Sequence, residues 1–416
     1  MKKYTLILIA FTALSAYAAE PLKTLEYYQQ QEALLTSPNS REERAWAKSL
    51  ADGLGTWVKQ NPSNVNAPQA LLAQARLYLQ AQDKARALIA LLTVKKLYPQ
   101  VDMGAYQNMI SEALTAVNEP ARNTEGTKAF ALSTVPAETP DREAAILFAL
   151  SKLPGRTVYE PATVLFENFF VKNPNYAKND QVELWYGDLH RVNGNYLSAI
   201  AQYKKATALY PNTPYRAASM RLIGDIYADN LKDTPNAMAM YTQVLRDYPN
   251  SNETGVVYKH MAILEENNKN FDSALINYDK AIELLGATDS GYEAYRGKVD
   301  VYTKTRNYED AYNMLHQTAN AFVMDQNKHT ESLVNAANIA KKRLHDDTKY
   351  TQSLEKALFK FPNNNQSAEI MYNLAQTYEK QDKKIQAMDM YKRLILAHPA
   401  DKYASKAQGR LQRLEK

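Results

Sequence analysis

The histidines and the paired carboxylates are the residues that could bind a metal ion or carry out acid–base catalysis. No two of the six histidines are three or four residues apart, the spacing that places two imidazoles on one face of a helix. The acidic pairs Glu265-Glu266 and Asp346-Asp347 are adjacent, and adjacent side chains on a helix point in different directions. The nucleophile-elbow, P-loop and dinucleotide-binding motifs are also missing from the sequence. The sequence therefore predicts no metal site, no cofactor and no catalytic centre.

The composition predicts a folded protein with few tight turns and no cysteine chemistry. The 416 residues are 45% hydrophobic, which excludes general disorder, and the 13 glycines are about 3% of the chain, below the roughly 7% of average proteins. A chain without cysteine forms no disulfide, no thiolate zinc site and no lipid-modified N-terminal cysteine. The net charge of +5 is too small to indicate nucleic-acid binding.

The first residues have the pattern of an export signal. Lys2 and Lys3 precede an uncharged apolar run from Tyr4 to Leu14, and Ala16 and Ala18 follow at the spacing that signal peptidase recognises. We therefore expect cleavage after Ala18 and a mature chain that is periplasmic or secreted, without a lipid anchor. The alternative is an uncleaved N-terminal anchor, although the run is shorter than the roughly 20 residues that span a bilayer. No later stretch is apolar enough to cross a membrane.

Proline recurs along the chain with a period of 37 or 38 residues. Three further periods fit into the long gap between Pro249 and Pro362, where Gly286 and Met324 stand at the expected positions. A fixed period of this length is typical of a repeat architecture. The prolines of the series are Pro62, Pro99, Pro136, Pro174, Pro211, Pro249, Pro362 and Pro399.

Each interval between prolines predicts two helices. In the interval from Asp180 to Pro211, apolar residues follow a helical spacing up to Leu189, and Asn193–Asn195 interrupts it. A second helical pattern begins at Tyr196 and ends at Pro211. One such pair cannot bury its apolar face alone, so neighbouring pairs are expected to stack.

The small and aromatic residues of these pairs follow a known motif. Gly187, Ala199, Tyr203, Ala206 and Pro211 match the tetratricopeptide repeat, so the sequence resembles that family over roughly residues 64–416. Small residues allow the two helices to approach closely, and the aromatic ring fills the remaining space. The resemblance implies an all-α fold: an α-α superhelix, a right-handed solenoid of about nine to ten helix pairs, with a C-terminal capping helix.

An extended turn follows each proline and makes the period longer than the usual 34 residues. Such aromatic-Pro-Asn turns are similar to those of a bacterial envelope subclass, which includes the tetratricopeptide-repeat proteins of outer-membrane assembly and of Tol-Pal coordination. The turns are Tyr210–Thr213, Tyr248–Ser251 and Phe361–Asn364.

The quality of the repeats divides the chain into segments. We predict a polar break at Asn118–Thr127 and two insertions, at Leu231–Pro235 and Asp325–Thr330. The predicted segments are a signal peptide (1–18), divergent N-terminal helical repeats (19–175), a well-formed repeat array (176–402) and a capping helix (403–416). From residue 341 to the C-terminus the chain has 16 basic and 9 acidic residues, which either steer an acidic partner or only solubilise the end.

In solenoids of this family the first helix of each pair lines the concave groove, where motif positions five and nine face the ligand. Arg221, Lys259 and Arg296 at position five then form a basic line that suits an acidic or C-terminal peptide or an anionic glycan. The alternative is self-pairing with carboxylates four residues later, which contributes only about 0.2–0.5 kcal/mol per pair. Tyr372 is the groove aromatic that could stack on a sugar. The candidate partner-binding residues are Asp188, Arg221, Asp225, Lys259, Arg296, Asp300 and Tyr372.

Three functional hypotheses follow from the resemblance. The first is an exported, non-catalytic scaffold that binds segments of other envelope proteins in the groove and helps to organise a periplasmic or outer-membrane assembly. The second is a component of polysaccharide export or cell-wall glycan binding. The third is an enzyme similar to the superhelical lytic transglycosylases, which the continuation of the repeats to the C-terminus disfavours because no room remains for a catalytic domain.

Overall fold

The structure is a computed structural model, which describes residues 23–35, 40–114 and 139–415. The predicted signal peptide, its cleavage site and the predicted polar break at Asn118–Thr127 lie outside these residues. The described residues form α-helices joined by short turns, with no β-strand among them. The chain divides into two compact units, Met1–Tyr215 and Arg216–Lys416.

The first unit contains nine helices within its described residues. Its core is one continuous apolar cluster that runs from the second helix to the eighth, with Leu91 and Phe166 among its fully buried side chains. The helices are α1 Leu25–Ala33, α2 Arg41–Gln60, α3 Ala67–Gln80, α4 Lys84–Leu97, α5 Gln107–Leu114, α6 Thr139–Ser151, α7 Arg156–Lys172, α8 Asn179–Val192 and α9 Tyr196–Leu209.

The second unit contains five helix pairs and a final helix. The last helix, α20, buries Ala404, Ala407 and Leu411 and packs against the pair that precedes it, as expected of a cap. The helices are α10 Arg216–Asp225, α11 Thr234–Asp247, α12 Thr254–Asn267, α13 Phe271–Leu285, α14 Asp289–Lys304, α15 Tyr308–Ala321, α16 Gln326–Ile339, α17 Asp347–Lys360, α18 Ser367–Lys380, α19 Lys384–Ala397 and α20 Lys402–Leu414.

The turn inside each pair repeats one backbone geometry. After α8, Gly194 has a φ of 79° and the amide of Asn195 donates to the carbonyl of His190, which closes the helix end. Lys269 and Arg306 hold the same left-handed conformation after α12 and α14, where a side chain costs about 1–2 kcal/mol. At Lys269 and Arg306 the turn is therefore fixed by the packing of the helix pair rather than by a local glycine.

The turn between pairs explains the residues that lengthen the period. Asn179, Thr254 and Ser367 begin a first helix, and each side chain donates to the carbonyl of the aromatic or asparagine residue just before the recurring proline. The backbone closes the same turn, since the amide of Ser251 donates to the carbonyl of Tyr248 at 3.1 Å. The aromatic-Pro-Asn segment is thus a hydrogen-bonded turn that sets the entry of the next first helix.

The extra residues of two repeats lie at the ends of first helices. One predicted insertion, Asp325–Thr330, is wrong: Asp325 caps α16 by accepting from the amides of Asn327 and Lys328, and the helix continues without a loop. The additional residue is instead accommodated in a π-helical turn at Ala340–Leu344. A second π-helical turn at Ile226–Asn230 ends α10, just before the insertion predicted at Leu231–Pro235. A π turn adds a residue without breaking the helix, so helical periodicity alone does not place it.

The closest packing within the pairs joins a glycine to a buried tyrosine ring. A Cβ at Gly187 would collide with Tyr203, and one at Gly224 would lie 2.5 Å from a ring carbon of Tyr241. The two rings are 0% and 1% exposed, so they have no room to move aside. The predicted contact between the small residue and the aromatic ring is therefore confirmed in these two pairs.

None of the helices that the structure describes is long and apolar enough to cross a membrane.

Replacement of Gly224 by alanine tests this packing. Alanine is the better helix former by about 1 kcal/mol, but the collision with Tyr241 outweighs this gain, because overpacking a tight core costs about 1–3 kcal/mol. We expect Gly224→Ala to lower the free energy of unfolding in urea by about 1 kcal/mol or more. Gly409→Ala in α20 is the matched control, since no atom lies within 4 Å of its new Cβ. The control should be neutral or stabilising, and equal losses in both variants would refute the argument.

Candidate functional site

The predicted partner-binding residues lie on the first helices of their pairs. Asp188 lies on α8 in the first unit. The others lie in the second unit, on α10 (Arg221, Asp225), α12 (Lys259), α14 (Arg296, Asp300) and α18 (Tyr372). Their surroundings differ strongly from one repeat to the next.

Asp188 is a buried acceptor of the first unit. The side chain is 9% exposed and accepts from the Tyr203 hydroxyl at 2.7 Å. The ammonium of Lys152, in the turn directly after α6 of the preceding pair, lies 2.6 Å from the other carboxylate oxygen, and Arg191 lies at 3.5 Å. With these donors in place, Asp188 connects two repeats and has little capacity left for a ligand.

Asp225 has the same role in the second unit. It accepts from the Tyr241 hydroxyl at 2.8 Å and from His260 Nδ1 at 2.7 Å, and it forms an ion pair with Arg221. Burial alone would raise the pKa of Asp225, but the hydrogen bond and charge of His260 and the Arg221 guanidinium lower it below its ordinary value. Arg221 also pairs with Glu253 at the start of α12.

Lys259 is buried and paired. The residue is 6% exposed, and its ammonium lies 2.6 Å from Glu293 on the next first helix, α14. Arg221 and Lys259 of the predicted basic line are therefore connected to carboxylates of their own unit. The ion pair of Arg221 with Asp225 is the self-pairing that the sequence offers as the alternative. The pairs of Arg221 with Glu253 and of Lys259 with Glu293 join different repeats, so the pattern of a single helix does not predict them.

The acceptors of the tyrosine hydroxyls are functional groups that the sequence analysis missed. Three core tyrosines at one motif position of the second helix donate to a carboxylate on the first helix of their pair: Tyr203 to Asp188, Tyr241 to Asp225 and Tyr278 to Glu266. Glu266 also pairs with Lys304 of the following first helix at 2.6 Å. The sequence signal is an acidic residue 12 to 16 positions before each tyrosine.

Arg296 and Asp300 differ from these residues because they are exposed. Their repeat has Leu315 at the position that Tyr203 and Tyr241 occupy in theirs, so no hydroxyl needs Asp300 as an acceptor. Arg296 forms no ion pair with the residues that the structure describes. Partial burial and the nearby Glu266 carboxylate raise the pKa of Asp300.

Tyr372 is packed rather than open. Its ring lies 5.3 Å from the Tyr403 ring on α20 and 6.0 Å from the Tyr391 ring on α19, measured between centroids. Its hydroxyl accepts from the amide nitrogen of Gln376 at 3.2 Å. This geometry places Tyr372 in the contact between the last pair and the final helix.

Four exposed residues remain at motif positions five and nine of the second unit. We call them the open first-helix row: Ile263 on α12, Arg296 and Asp300 on α14, and Asn338 on α16. Ile263 is 40% exposed, which is high for an isoleucine beside a packed helix pair. Within the described residues, no three histidine or acidic side chains converge as metal ligands would.

Replacement of Asp225 by asparagine tests the network around it. The folded-state pKa of Asp225 is lowered, so its contribution to stability is present above the ordinary value of 3.8 and is lost as the pH falls through the folded value. We expect Asp225→Asn to lower the free energy of unfolding at pH 7 by about 1–3 kcal/mol, because buried donors lose a charged acceptor.

The pH profile gives a second measure of the same network. The loss of stability between pH 4 and pH 2 should be shallower in Asp225→Asn than in the wild-type protein. Asp300→Asn is the matched control at the same motif position; it is exposed and should change the free energy of unfolding by about 0.5 kcal/mol or less. An unchanged pH profile in Asp225→Asn would contradict the assignment.

Comparisons with solved structures give distant similarities. A tetratricopeptide repeat protein from Parabacteroides merdae is 14% identical with a TM-score of 0.36, over 67% of this chain and 99% of that one. The C-terminal part of a TPR repeat-containing protein from Cytophaga hutchinsonii is 14% identical with a TM-score of 0.42, over 64% and 98%. Yeast Tom70 is 16% identical with a TM-score of 0.28, over 94% and 91%. No curated protein sequence matches this chain.

The sequence model of the tetratricopeptide repeat matches three segments, residues 69–100, 218–251 and 369–401. Each segment covers the two helices of one pair: α3 and α4, α10 and α11, and α18 and α19. The matched segments thus coincide with the structural unit that the period and the glycine–tyrosine packing define. The chain contains tetratricopeptide repeats.

Proposed function

We propose that the protein is an exported, non-catalytic scaffold that binds segments of other cell-envelope proteins along the open first-helix row and helps to organise a periplasmic or outer-membrane assembly. The tetratricopeptide repeats indicate a scaffold for protein–protein interaction. The observation that supports the location of the site is the contrast between Arg296, exposed and without an ion pair in the described residues, and Arg221 and Lys259, which are paired.

The row combines three kinds of contact on consecutive first helices. The Arg296 guanidinium can donate two parallel hydrogen bonds to a carboxylate, Ile263 offers an apolar contact, and Asp300 and Asn338 supply acceptors. Contacts of this type are weak individually and add up along an extended or helical peptide. The paired residues beside the row hold its helices in place, which reduces the entropy lost on binding.

A protein ligand suits this surface better than a glycan. Carbohydrate binding in the groove would be favoured by an open aromatic face, and Tyr372 instead packs against Tyr391 and Tyr403. Glycan binding is therefore kept as an alternative result of the crosslinking experiment below.

Export is tested on the full-length chain in a Gram-negative host. We expect the mature protein to begin at Ala19 and to be released with the periplasmic fraction, as read from the intact mass. Ala18→Asp should leave the precursor uncleaved, because the peptidase needs a small residue at that position. A full-length chain in the cytosol would refute export, and a full-length chain in the membrane fraction would establish the uncleaved anchor instead.

The binding row is tested by photo-crosslinking in cells, with a photoreactive amino acid in place of Arg296 or of Ile263. We expect discrete adducts with a protein of the envelope at both positions, identified by mass spectrometry. Arg221 and Lys259 are poor probe positions because their replacement removes structural ion pairs.

The matched control carries the probe at Ile276, which is 64% exposed on the second helix α13. The same protein adducts at position 276 would mean that the labelling is unspecific and would contradict the proposal. Adducts with glycan at 296 and 263 would replace the scaffold hypothesis with the carbohydrate hypothesis. No adduct at either position would refute the row as the binding surface.

A further inference from the structure

A cavity of about 640 Å³ lies on the second helices of two consecutive pairs in the second unit. Its walls come from the end of α15 and from α17, and its base comes from the start of α16. This is the size range of sites for small molecules or a few peptide residues. The first-helix row of the proposed function contributes none of the lining residues.

The cavity has one apolar side chain at its base and another at its rim, and the two differ in exposure. Leu333 at the base is 2% exposed, whereas Phe359 at the rim is 91% exposed. The imidazole of His329 is held rigidly beside Leu333, because its Nδ1 hydrogen-bonds to the Ala319 carbonyl at 2.8 Å and its ring meets Phe361 edge to face. A phenyl ring so exposed beside a built cavity is available for contact with an apolar group.

The charged groups of the cavity leave positive charge uncompensated. Lys356 and Lys360 line it, and neither forms an ion pair with the residues that the structure describes. Glu355, also at the cavity, accepts a hydrogen bond from the Tyr378 hydroxyl. Burial and the Lys356 ammonium lower the pKa of His316 to about 4, so this imidazole is neutral at pH 7 and bonds to the Ser353 hydroxyl at 3.0 Å.

We propose that this cavity binds an acidic peptide segment of a partner protein, with a carboxylate between Lys356 and Lys360 and a neighbouring apolar side chain against Phe359 and Leu333. The proposal rests on the scaffold role proposed above and adds a second surface to it. An inorganic anion would make no use of the exposed phenyl ring. A peptide provides both chemistries at the spacing of adjacent residues, which a cavity of this volume accommodates.

The test is an array of immobilised hexapeptides in which acidic, apolar and neutral polar residues are varied systematically. We expect the wild-type protein to bind the peptides that place Asp or Glu beside an aromatic or aliphatic residue. The double variant Lys356→Glu with Lys360→Glu should reduce this binding at least tenfold, and Phe359→Ser should reduce it severalfold. These side chains are exposed, so the variants should keep the wild-type melting temperature.

Lys384→Glu is the matched charge control, since Lys384 is an exposed lysine at the start of the next second helix, α19. The control should bind the peptides like the wild-type protein. Equal loss in the control would mean unspecific charge attraction and would overturn the proposal, as would retention of binding in the double variant. Preference for an acidic polysaccharide, polygalacturonate, over every peptide would also overturn it.

The NMR signal of the His316 imidazole gives a second measure of peptide binding in the cavity. A peptide bound beside Lys356 changes both the burial of His316 and the charge around it, so the pKa of His316 should shift when the best peptide of the array is added. An unchanged titration of the His316 NMR signal would place the peptide elsewhere. The two proposals can fail independently. A negative result at the cavity leaves the crosslinks expected at Arg296 unchanged, and missing crosslinks at Arg296 leave the peptide binding expected at the cavity unchanged.

Discussion

A buried tyrosine hydroxyl must find an acceptor, and this requirement organises the first helices of the protein. The glycine at the helix contact brings the tyrosine ring so close that its hydroxyl reaches across the pair, and Asp188 and Asp225 receive it. Each acceptor is an anion in a poorly solvated position, which is costly unless cations accompany it. Lys152, in the turn after the preceding first helix, supplies that compensation for Asp188, and Arg221, which also pairs with Glu253 of the following pair, supplies it for Asp225. The packing within one pair therefore determines the ion pairs between pairs.

This dependence limits what the first helices can offer to a ligand. The groove positions of a tetratricopeptide repeat are polar, but in the tyrosine-containing repeats their charges serve the structure, as Arg221 and Lys259 show. Where the tyrosine is replaced by Leu315 or Leu354, no hydroxyl needs an acceptor, and the acidic or amide residue at position nine becomes exposed. Three of the four residues of the open first-helix row lie in these repeats. The fourth, Ile263, lies in the repeat of Tyr278, whose hydroxyl uses Glu266 as its acceptor.

The sequence was sufficient for those features that neighbouring residues determine. The period, the two helices of each pair and the glycine–tyrosine contact follow from spacing alone, and the breaks at Asn193–Asn195 and Pro211 lie at the helix ends. The partners of Lys259 and Arg221 could not be predicted, because Glu293 and Glu253 lie 34 and 32 residues away and their approach depends on how the pairs stack. The cavity could not be predicted either, since its walls combine residues of three helices.

The two proposed surfaces share the repeats that lack the core tyrosine. Leu315 precedes His316, and Leu354 precedes Glu355 and Lys356, so the repeats that lack the core tyrosine also line the cavity on the second helices. In the repeat of Leu315 no tyrosine hydroxyl occupies Asp300, which is exposed on α14. A scaffold built from nearly identical units acquires distinct binding sites in this way, because each departure from the motif removes an internal partner and leaves a group free for an external one.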